Sequence, residues 1–358
     1  MNLSNLQQKI LNCPAKVVFV ESAAASGKTR LIVEKIKQQV AKKQGKVVAF
    51  TFTRAAAEEI SERLGNYDEE QLFVGTIHSY CYRLLIKEGI TKAVYYCQEE
   101  QFDALFHLAQ EHLTNVEPVH CILCDEMQDC NQEQFSFMFD ILKSDYYFCC
   151  YDKRQSIYRW NGARPELIDA YAEQLGAIFQ SLDENYRNAP EILNYAKDLI
   201  RSAGYRYEDF SVPMRDKCGK VSFVKSYSPR AIARTLEKVT HNWKDWFVLC
   251  RTNEQVDEVS SALEEAGIPH DTFKRSSLSN EGVNLKLKED TIKVLTIHAS
   301  KGLEAKNVVV VGPKYYNLEE LCIDYVAATR ARDSLYWIEA NVPKRNPKIE
   351  KDIVSWET

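Results

Sequence analysis

Residues 16–30 constrain this chain more than any other stretch. An apolar run from Lys16 to Val20 leads into Ser22-Ala23-Ala24-Ala25-Ser26-Gly27-Lys28-Thr29, and a helical pattern follows from Thr29 to Val40. Strand, small-residue loop, Gly-Lys-Thr and helix together let backbone N–H groups wrap phosphate oxygens at a helix N-terminus. In such a unit Ser26 and Gly27 shape the loop, the Lys28 ammonium meets the β- and γ-phosphates, and the Thr29 hydroxyl ligates Mg²⁺. The opposing reading is a chance Gly-Lys-Thr in a turn, since the first motif position is Ser22 and not glycine.

The rest of the chain alternates short β-branched runs with longer helical stretches, the pattern of an α/β protein with mainly parallel sheets flanked by helices. Strands are expected at Lys16 to Val20, Val47 to Thr51, Cys121 to Cys124 and Tyr146 to Cys150. In the second half they are expected at Ala177 to Leu182, Val221 to Val224, Trp246 to Cys250, Ile292 to Thr296, Val308 to Val311 and Ser334 to Ile338. Helical spacing marks Arg54 to Leu64, Gln132 to Leu142 and Asn253 to Ala266. A length of 358 residues suits two domains at about 100–200 residues each. The pattern restarts near Ala177, which divides the chain into 1–176, with a small helical insertion at about 86–120, and 177–358.

Asp125-Glu126-Met127-Gln128-Asp129 stands directly after the apolar run Cys121 to Cys124. The C-terminal end of a parallel strand is where a phosphate-loop sheet needs its metal ligand. Asp125 is placed to hold Mg²⁺, and Glu126 to orient or deprotonate an attacking water. An isolated Asp-Glu pair is usually a solvated surface; its place after a buried-type strand sets this one apart.

A net charge of -5 speaks against histone-like or membrane-surface binding, which depends on diffuse positive charge. Nucleic acid would have to be held in a local basic groove. The N-terminal sequence has no basic start leading into an apolar segment, and no window approaches ~18 consecutive apolar residues, so a cytoplasmic protein with no membrane partner is expected. Eleven cysteines, an odd number, read as reduced thiols in apolar positions. Cys121 and Cys124 form a C-x-x-C, but at that spacing on a strand the two side chains point to opposite faces, which favours packing over zinc or redox chemistry.

Further motifs follow in a fixed order. They are Thr51-Phe52-Thr53 with Ala56, Ala57 and Glu59, Val74-Gly75-Thr76-Ile77-His78, the Asp125 segment, Gln155-Ser156-Ile157-Tyr158-Arg159-Trp160-Asn161-Gly162-Ala163, and Glu184-Asn185-Tyr186-Arg187. Thr296-Ile297-His298-Ala299-Ser300-Lys301-Gly302-Leu303-Glu304 and Tyr325-Val326-Ala327-Ala328-Thr329-Arg330-Ala331 complete the series. In this order, across nearly the whole chain, they resemble the superfamily 1 DNA helicases of the UvrD/Rep/PcrA group. The resemblance implies two tandem RecA-like P-loop domains that use ATP and Mg²⁺ to move along single-stranded DNA in the 3′ to 5′ direction, with the choice between DNA and RNA left open.

The resemblance also implies residue roles. Adenine would lie between Arg30 and the Tyr186 ring, its edge read by Gln7, although the adjacent Gln8 fits the local pattern as well. Gln155 would sense the γ-phosphate, Arg187 and Arg330 would reach it as arginine fingers, and Glu304 would contact the ribose. The strand contacts map onto Thr51, Phe52, Thr76, His78, Trp160 and Thr296, where rings stack on bases and hydroxyls meet phosphates. For Trp160 the competing reading is a core tryptophan; its Gly/Asn-containing loop favours stacking. Phe52 ends an apolar strand, so simple packing competes more strongly.

Four positions depart from the family pattern. Ala25 stands where glycine is usual, so a Cβ enters the phosphate loop. Ala55, Asn161 and Ala305 replace a usual lysine, arginine and phenylalanine. The chain also has little space for the accessory insertions of the family, so translocation is expected to persist while duplex separation by the chain alone is weak or depends on a partner. A second class of function is an ATP-dependent nucleic-acid clamp serving a partner nuclease or defence complex with slow turnover. A third, a P-loop kinase or GTPase, predicts neither the paired arginines nor the Trp160 loop.

Overall fold

A computed structural model describes residues 3–202, 208–224, 227–239, 242–274, 289–312 and 318–338. The chain divides into two compact units, Met1–Ser22 with Gly27–Leu182, and Ala23–Ser26 with Asp183–Thr358.

The first unit is a parallel six-stranded sheet of β1 (Val17–Ser22), β2 (Val47–Thr51), β3 (Leu72–Thr76), β4 (Val119–Cys124), β5 (Ser144–Tyr151) and β6 (Ile178–Leu182), in the order β3-β2-β4-β5-β1-β6. Its helices are α1 (Asn5–Leu11), α2 (Lys28–Val40), α3 (Arg54–Leu64), α4 (Ile77–Lys87), α5 (Lys92–Gln98), α6 (Phe102–His112), α7 (Gln132–Ser136) and α8 (Leu167–Leu175). Alternation along the central strands sorts side chains into two cores. Val18, Val20, Val47, Ala49, Cys121 and Leu123 pack with Ile10, Leu31, Ile36 and Ile60 from α1, α2 and α3. Phe19, Val48, Phe50, Ile122 and Cys124 pack with Ile77, Leu85, Leu105, Phe106 and Phe135 on the other side. Cys121 and Cys124 therefore serve opposite cores as free thiols.

The strand at Ile178–Leu182 corrects one expectation. It pairs in parallel with β1, from Val18 opposite Ile178 to Ser22 opposite Leu182, so it closes the first sheet instead of opening the second half. The division consequently falls after Leu182. The physical reason is the crossover through α8, which returns the chain to the free side of β1. The helical run expected through Leu142 is α7 continued by a wide π turn over Phe137–Ile141.

The second unit repeats the design. After the short pair β7 (Glu184–Asn185) and β8 (Val212–Pro213) come β9 (Lys220–Val224), β10 (Trp246–Cys250), β11 (His270–Phe273), β12 (Ile292–Thr296), β13 (Ala305–Val311) and β14 (Ala331–Ile338), the last six forming a parallel sheet in the order β11-β12-β10-β13-β14-β9. Among its helices, α10 (Pro229–Val239) and α11 (Asn253–Glu265) supply Ile232, Leu236, Val256, Val259 and Leu263 to a core with Val248, Val294 and Val309. The helices α9 (Pro190–Ser202) and α12 (Leu318–Thr329) pack on each other and on β14. Among the described residues no helix is long and apolar enough to cross a membrane.

Candidate nucleotide site and nucleic-acid contacts

At the C-terminal end of β1 the chain turns through the small-residue loop and starts α2 at Lys28. Gly27 has φ +82°, a conformation that costs a glycine almost nothing. Ala25 has φ +56°, so the extra Cβ is accommodated in the left-handed region at a cost of about 1–2 kcal/mol. Ser26 is buried, and Thr29 and Arg30 are half-buried in the first turn of α2.

The Lys28 ammonium stands 2.6 Å from a Glu126 carboxylate oxygen. Burial alone would lower the Lys28 pKa; the charges of Glu126, Asp125 and Asp152 outweigh it and hold the group above its ordinary value. Glu126 itself has φ +55°, unusual for a residue with a long side chain, and its N–H donates to Asp125 Oδ1 at 2.9 Å. Asp125 is buried at the end of β4. Burial pushes its carboxyl up to about 7, the Glu126 charge adds to the rise and Lys28 opposes it.

A polar network extends from this pair. Gln128 donates to Glu126 and accepts the N–H of Asp152 at 2.9 Å. Asp152, fully buried at the end of β5, accepts from Gln155 Nε2 at 2.7 Å and from Arg154 Nε at 2.6 Å. Gln155 is thereby tied to the carboxylates through Asp152 and Gln128. Neither Asp152 nor Gln128 was an expected site residue, although Asp152 follows a buried strand just as Asp125 does. Their buried side chains and mutual hydrogen bonds fix the rotamers around the phosphate loop.

Gln7 and Gln8, adjacent in α1, differ in burial and in partners. Gln7 is 3% exposed, forms a capping box with Ser4, and its Nε2 lies 2.6 Å from where a Cβ on Gly27 would stand. Gln8 is exposed and bonds the Leu3 carbonyl.

In the second unit, Asn185 organises the turn that carries the expected arginine. Its Oδ1 accepts the N–H groups of Arg187 and Asn188 at 3.1 and 2.9 Å, and its Nδ2 donates to the Ala24 carbonyl at 2.9 Å. The Tyr186 N–H donates to the Ala25 carbonyl at 3.1 Å, while its ring is 43% exposed. Arg187 is ion-paired with Glu304, which also faces Arg332 at 3.5 Å. Burial acts to raise the Glu304 carboxyl, but Arg187, Arg332 and Arg330 bring it below its ordinary value. Arg330 is 2% exposed and its guanidinium donates to the carbonyls of Val326 and Leu303 at 3.0 and 3.2 Å.

The expected strand contacts divide into two kinds. Phe52 stacks on Tyr158 at 4.9 Å with 24° between the planes, and Tyr158 meets Trp160 edge-on at 6.3 Å. Trp160 is 62% exposed, which disposes of the core alternative. Tyr158 joins this series unanticipated; its spacing of two from Trp160 was the available signal. Thr51, Thr76 and Thr296 instead use their hydroxyls locally: Thr51 donates to the Thr53 carbonyl, and Thr76 and Thr296 accept from the Ser79 and Ala299 N–H groups. His78 packs on Phe102 and Phe106 with ring centres 4.6 and 5.1 Å away, and burial brings its pKa down to about 4.

A phosphate loop at the C-terminal edge of one parallel sheet, followed by a second parallel unit, defines a protein of two RecA-like domains. Residues 3–116 and 100–175 match the UvrD/REP helicase N-terminal domain, and residues 180–278 and 271–341 match the UvrD-like helicase C-terminal domain. The chain belongs to the UvrD/Rep helicase family. A probable DNA helicase of Mycoplasma pneumoniae is 26% identical over 262 residues, covering 65% of this chain and 46% of the relative. The ATP-dependent DNA helicase Rep of Buchnera aphidicola is 22% identical, covering 98% of this chain and 69% of the relative. The Gabija protein GajB of Bacillus cereus is 24% identical over 77% of this chain and 65% of its own length. The chain spans about half the length of the first curated relatives it matches, at 46%, 52% and 51%.

Proposed function

We propose that this chain is an ATP-hydrolysing translocase on single-stranded DNA, moving 3′ to 5′ and acting in the cytoplasm. The observation that carries this reading is the Lys28–Glu126 contact beside buried Asp125, on a chain of the UvrD/Rep family. Lys28 would neutralise the β- and γ-phosphates, and Glu126, released from Lys28 by the nucleotide, would accept the proton of the attacking water. Asp125 and Thr29 supply hard oxygen donors of the kind Mg²⁺ takes, and Asp125 Oδ2 accepts no hydrogen bond from the described residues, so the donor set fits the ion. Bound there, Mg²⁺ would offset charge on the phosphate oxygens.

In this reading Tyr186 and Arg30 sandwich adenine and Gln7 reads its edge. Arg187 exchanges Glu304 for a phosphate oxygen on nucleotide binding, Arg330 does the same with the Leu303 carbonyl, and Glu304 turns to the ribose. Closure on ATP and opening on product release would step the strand past Phe52, Tyr158 and Trp160. The test is steady-state ATP turnover with and without single-stranded DNA. Strong stimulation, lost in Lys28→Ala and Arg330→Ala while strand binding remains, is expected; turnover in Lys28→Ala equal to the unmodified chain would overturn the reading.

The similarity to the Gabija protein GajB favours one second reading, a slow ATP-dependent clamp that works with a partner nuclease. A clamp would bind ATP and strand together and turn over slowly whether or not DNA is present.

A further inference from the structure

At the opposite edge of the first sheet, a cavity of about 260 Å³ opens among Lys16, Lys35, Lys42, Gln39, Tyr146 and Phe148. It lies at the N-terminal ends of β1 and β5, whereas the phosphate loop follows the C-terminal end of β1. Six strand residues separate the two, roughly 20 Å of chain.

We propose that this cavity is a second anion site, taking a small phosphorylated molecule of the size of phosphate or pyrophosphate. Three ammonium groups and no carboxylate line it. Lys16 and Lys42 both lie over the Tyr146 ring, 5.7 and 4.9 Å from its centre. Lys35 is 6% exposed, sits 5.2 Å from the centre of the Phe148 ring, and donates to the Leu11 carbonyl at 2.9 Å. None of the three has a carboxylate partner within ion-pair distance among the described residues. A buried ammonium without a counter-charge is costly unless a ligand supplies one.

The bland alternative is that the lysines merely cap helix C-termini. Leu11 and Val40 do end α1 and α2 nearby, but each helix end carries only about half a negative charge, so two ends leave roughly two of three positive charges unmatched. That excess stands out in a chain whose net charge is -5. Burial lowers the Lys35 pKa; the Cys121 and Cys13 thiols oppose this, Lys42 adds to it, and no carboxylate takes part. Gln39 and the Tyr146 ring give the cavity a polar wall and a flat one. Its volume is enough for a phosphate or pyrophosphate group.

The test is calorimetric titration of inorganic phosphate and of pyrophosphate into the full chain, into Lys28→Ala, and into the double variant Lys16→Glu/Lys42→Glu. Lys16 and Lys42 are exposed, so the double variant should keep its fold, checked by its melting temperature. One binding event that survives Lys28→Ala and weakens at least tenfold in the double variant is expected, with acetate at equal concentration giving none. An event that disappears in Lys28→Ala and persists in the double variant, or no event beyond the nucleotide site, overturns the proposal and leaves the translocase reading untouched.

Discussion

Lys28 and Glu126 form a 2.6 Å ion pair between the first turn of one helix and a residue held in a left-handed backbone conformation. Removing the ammonium in Lys28→Ala leaves two adjacent carboxylates without their cation and the incoming phosphates without theirs. ATP turnover should fall by about 100-fold or more, because electrostatic groups of this kind carry a large share of a transfer barrier. Steady-state hydrolysis with saturating single strand measures it; a fall under threefold would remove Lys28 from the mechanism.

Gly27→Ala should weaken nucleotide discrimination before it abolishes binding. The new methyl would meet the Gln7 amide, which can swing aside, while the φ of +82° costs about 1–2 kcal/mol whatever the side chain does. Competition between ATP and GTP reads the first effect and denaturant unfolding the second. The variant Gln7→Ala should show the same loss of discrimination with the backbone cost at Gly27 absent, leaving only the loss of its capping bond to the Ser4 N–H, about 1 kcal/mol.

His78 predicts a pH response. Its folded pKa of about 4 lies below its ordinary value of 6.5, so the native state holds fewer protons than the unfolded chain between these limits. The contribution to stability is complete above about pH 6.5 and is lost as pH falls toward 4, on the order of 2 kcal/mol once partial exposure of the ring is allowed for. Unfolding free energies at pH 7 and pH 4.5 should differ less in His78→Leu than in the unmodified chain. The neutral imidazole also makes His78 a poor ionic partner for phosphate at pH 7.

Trp160→Ala should weaken single-strand binding by about 1–3 kcal/mol, the value of one base stack, with the melting temperature unchanged because the ring is 62% exposed. Fluorescence anisotropy with a labelled oligonucleotide separates this from Tyr158→Ala, which should cost both binding and stability since Tyr158 is buried against Phe52.

Arg251 binds Glu320 and Asp324 on α12, the helix that precedes Arg330. Burial pushes Asp324 up to about 6 despite Arg251, so this carboxyl keeps its proton to a higher pH than a free aspartate does. Its folded value is above the ordinary 3.8, so its contribution to stability is fullest at low pH and declines as pH rises toward 6. Arg251→Met extends that decline upward. The variant should lose about 1 kcal/mol at pH 5 and about 3 kcal/mol at pH 8, read by urea unfolding at each pH.

Much of this architecture could be read from residue patterns, for physical reasons that also explain the exceptions. Val47–Thr51, Trp246–Cys250 and Ile292–Thr296 are buried throughout, and a run buried on both faces of a parallel sheet is continuously apolar. Ile178–Leu182 was equally visible as a strand, but an apolar run does not say which sheet it joins. Leu72–Thr76 lacked the signal because Gly75 interrupts it. At the site, Lys28, Asp125 and Glu126 come together as their places at a loop and a strand end require. Asp152 escaped notice because its function depends on Gln128, far away in sequence. The threonines show a further limit: a hydroxyl in a suitable motif can be engaged by a neighbouring backbone carbonyl or N–H.

The position of β1 has a consequence for how the protein is made. The strand that carries the phosphate loop is the first to be synthesised, yet its neighbours on either side, β5 and β6, are the last two of its sheet. At roughly 5–20 residues per second, translation takes on the order of ten seconds to travel from Ser22 to Leu182. Until Ser144–Tyr151 has been made neither edge of β1 has its native partner, and the second edge stays open until the ribosome has passed the sixth strand.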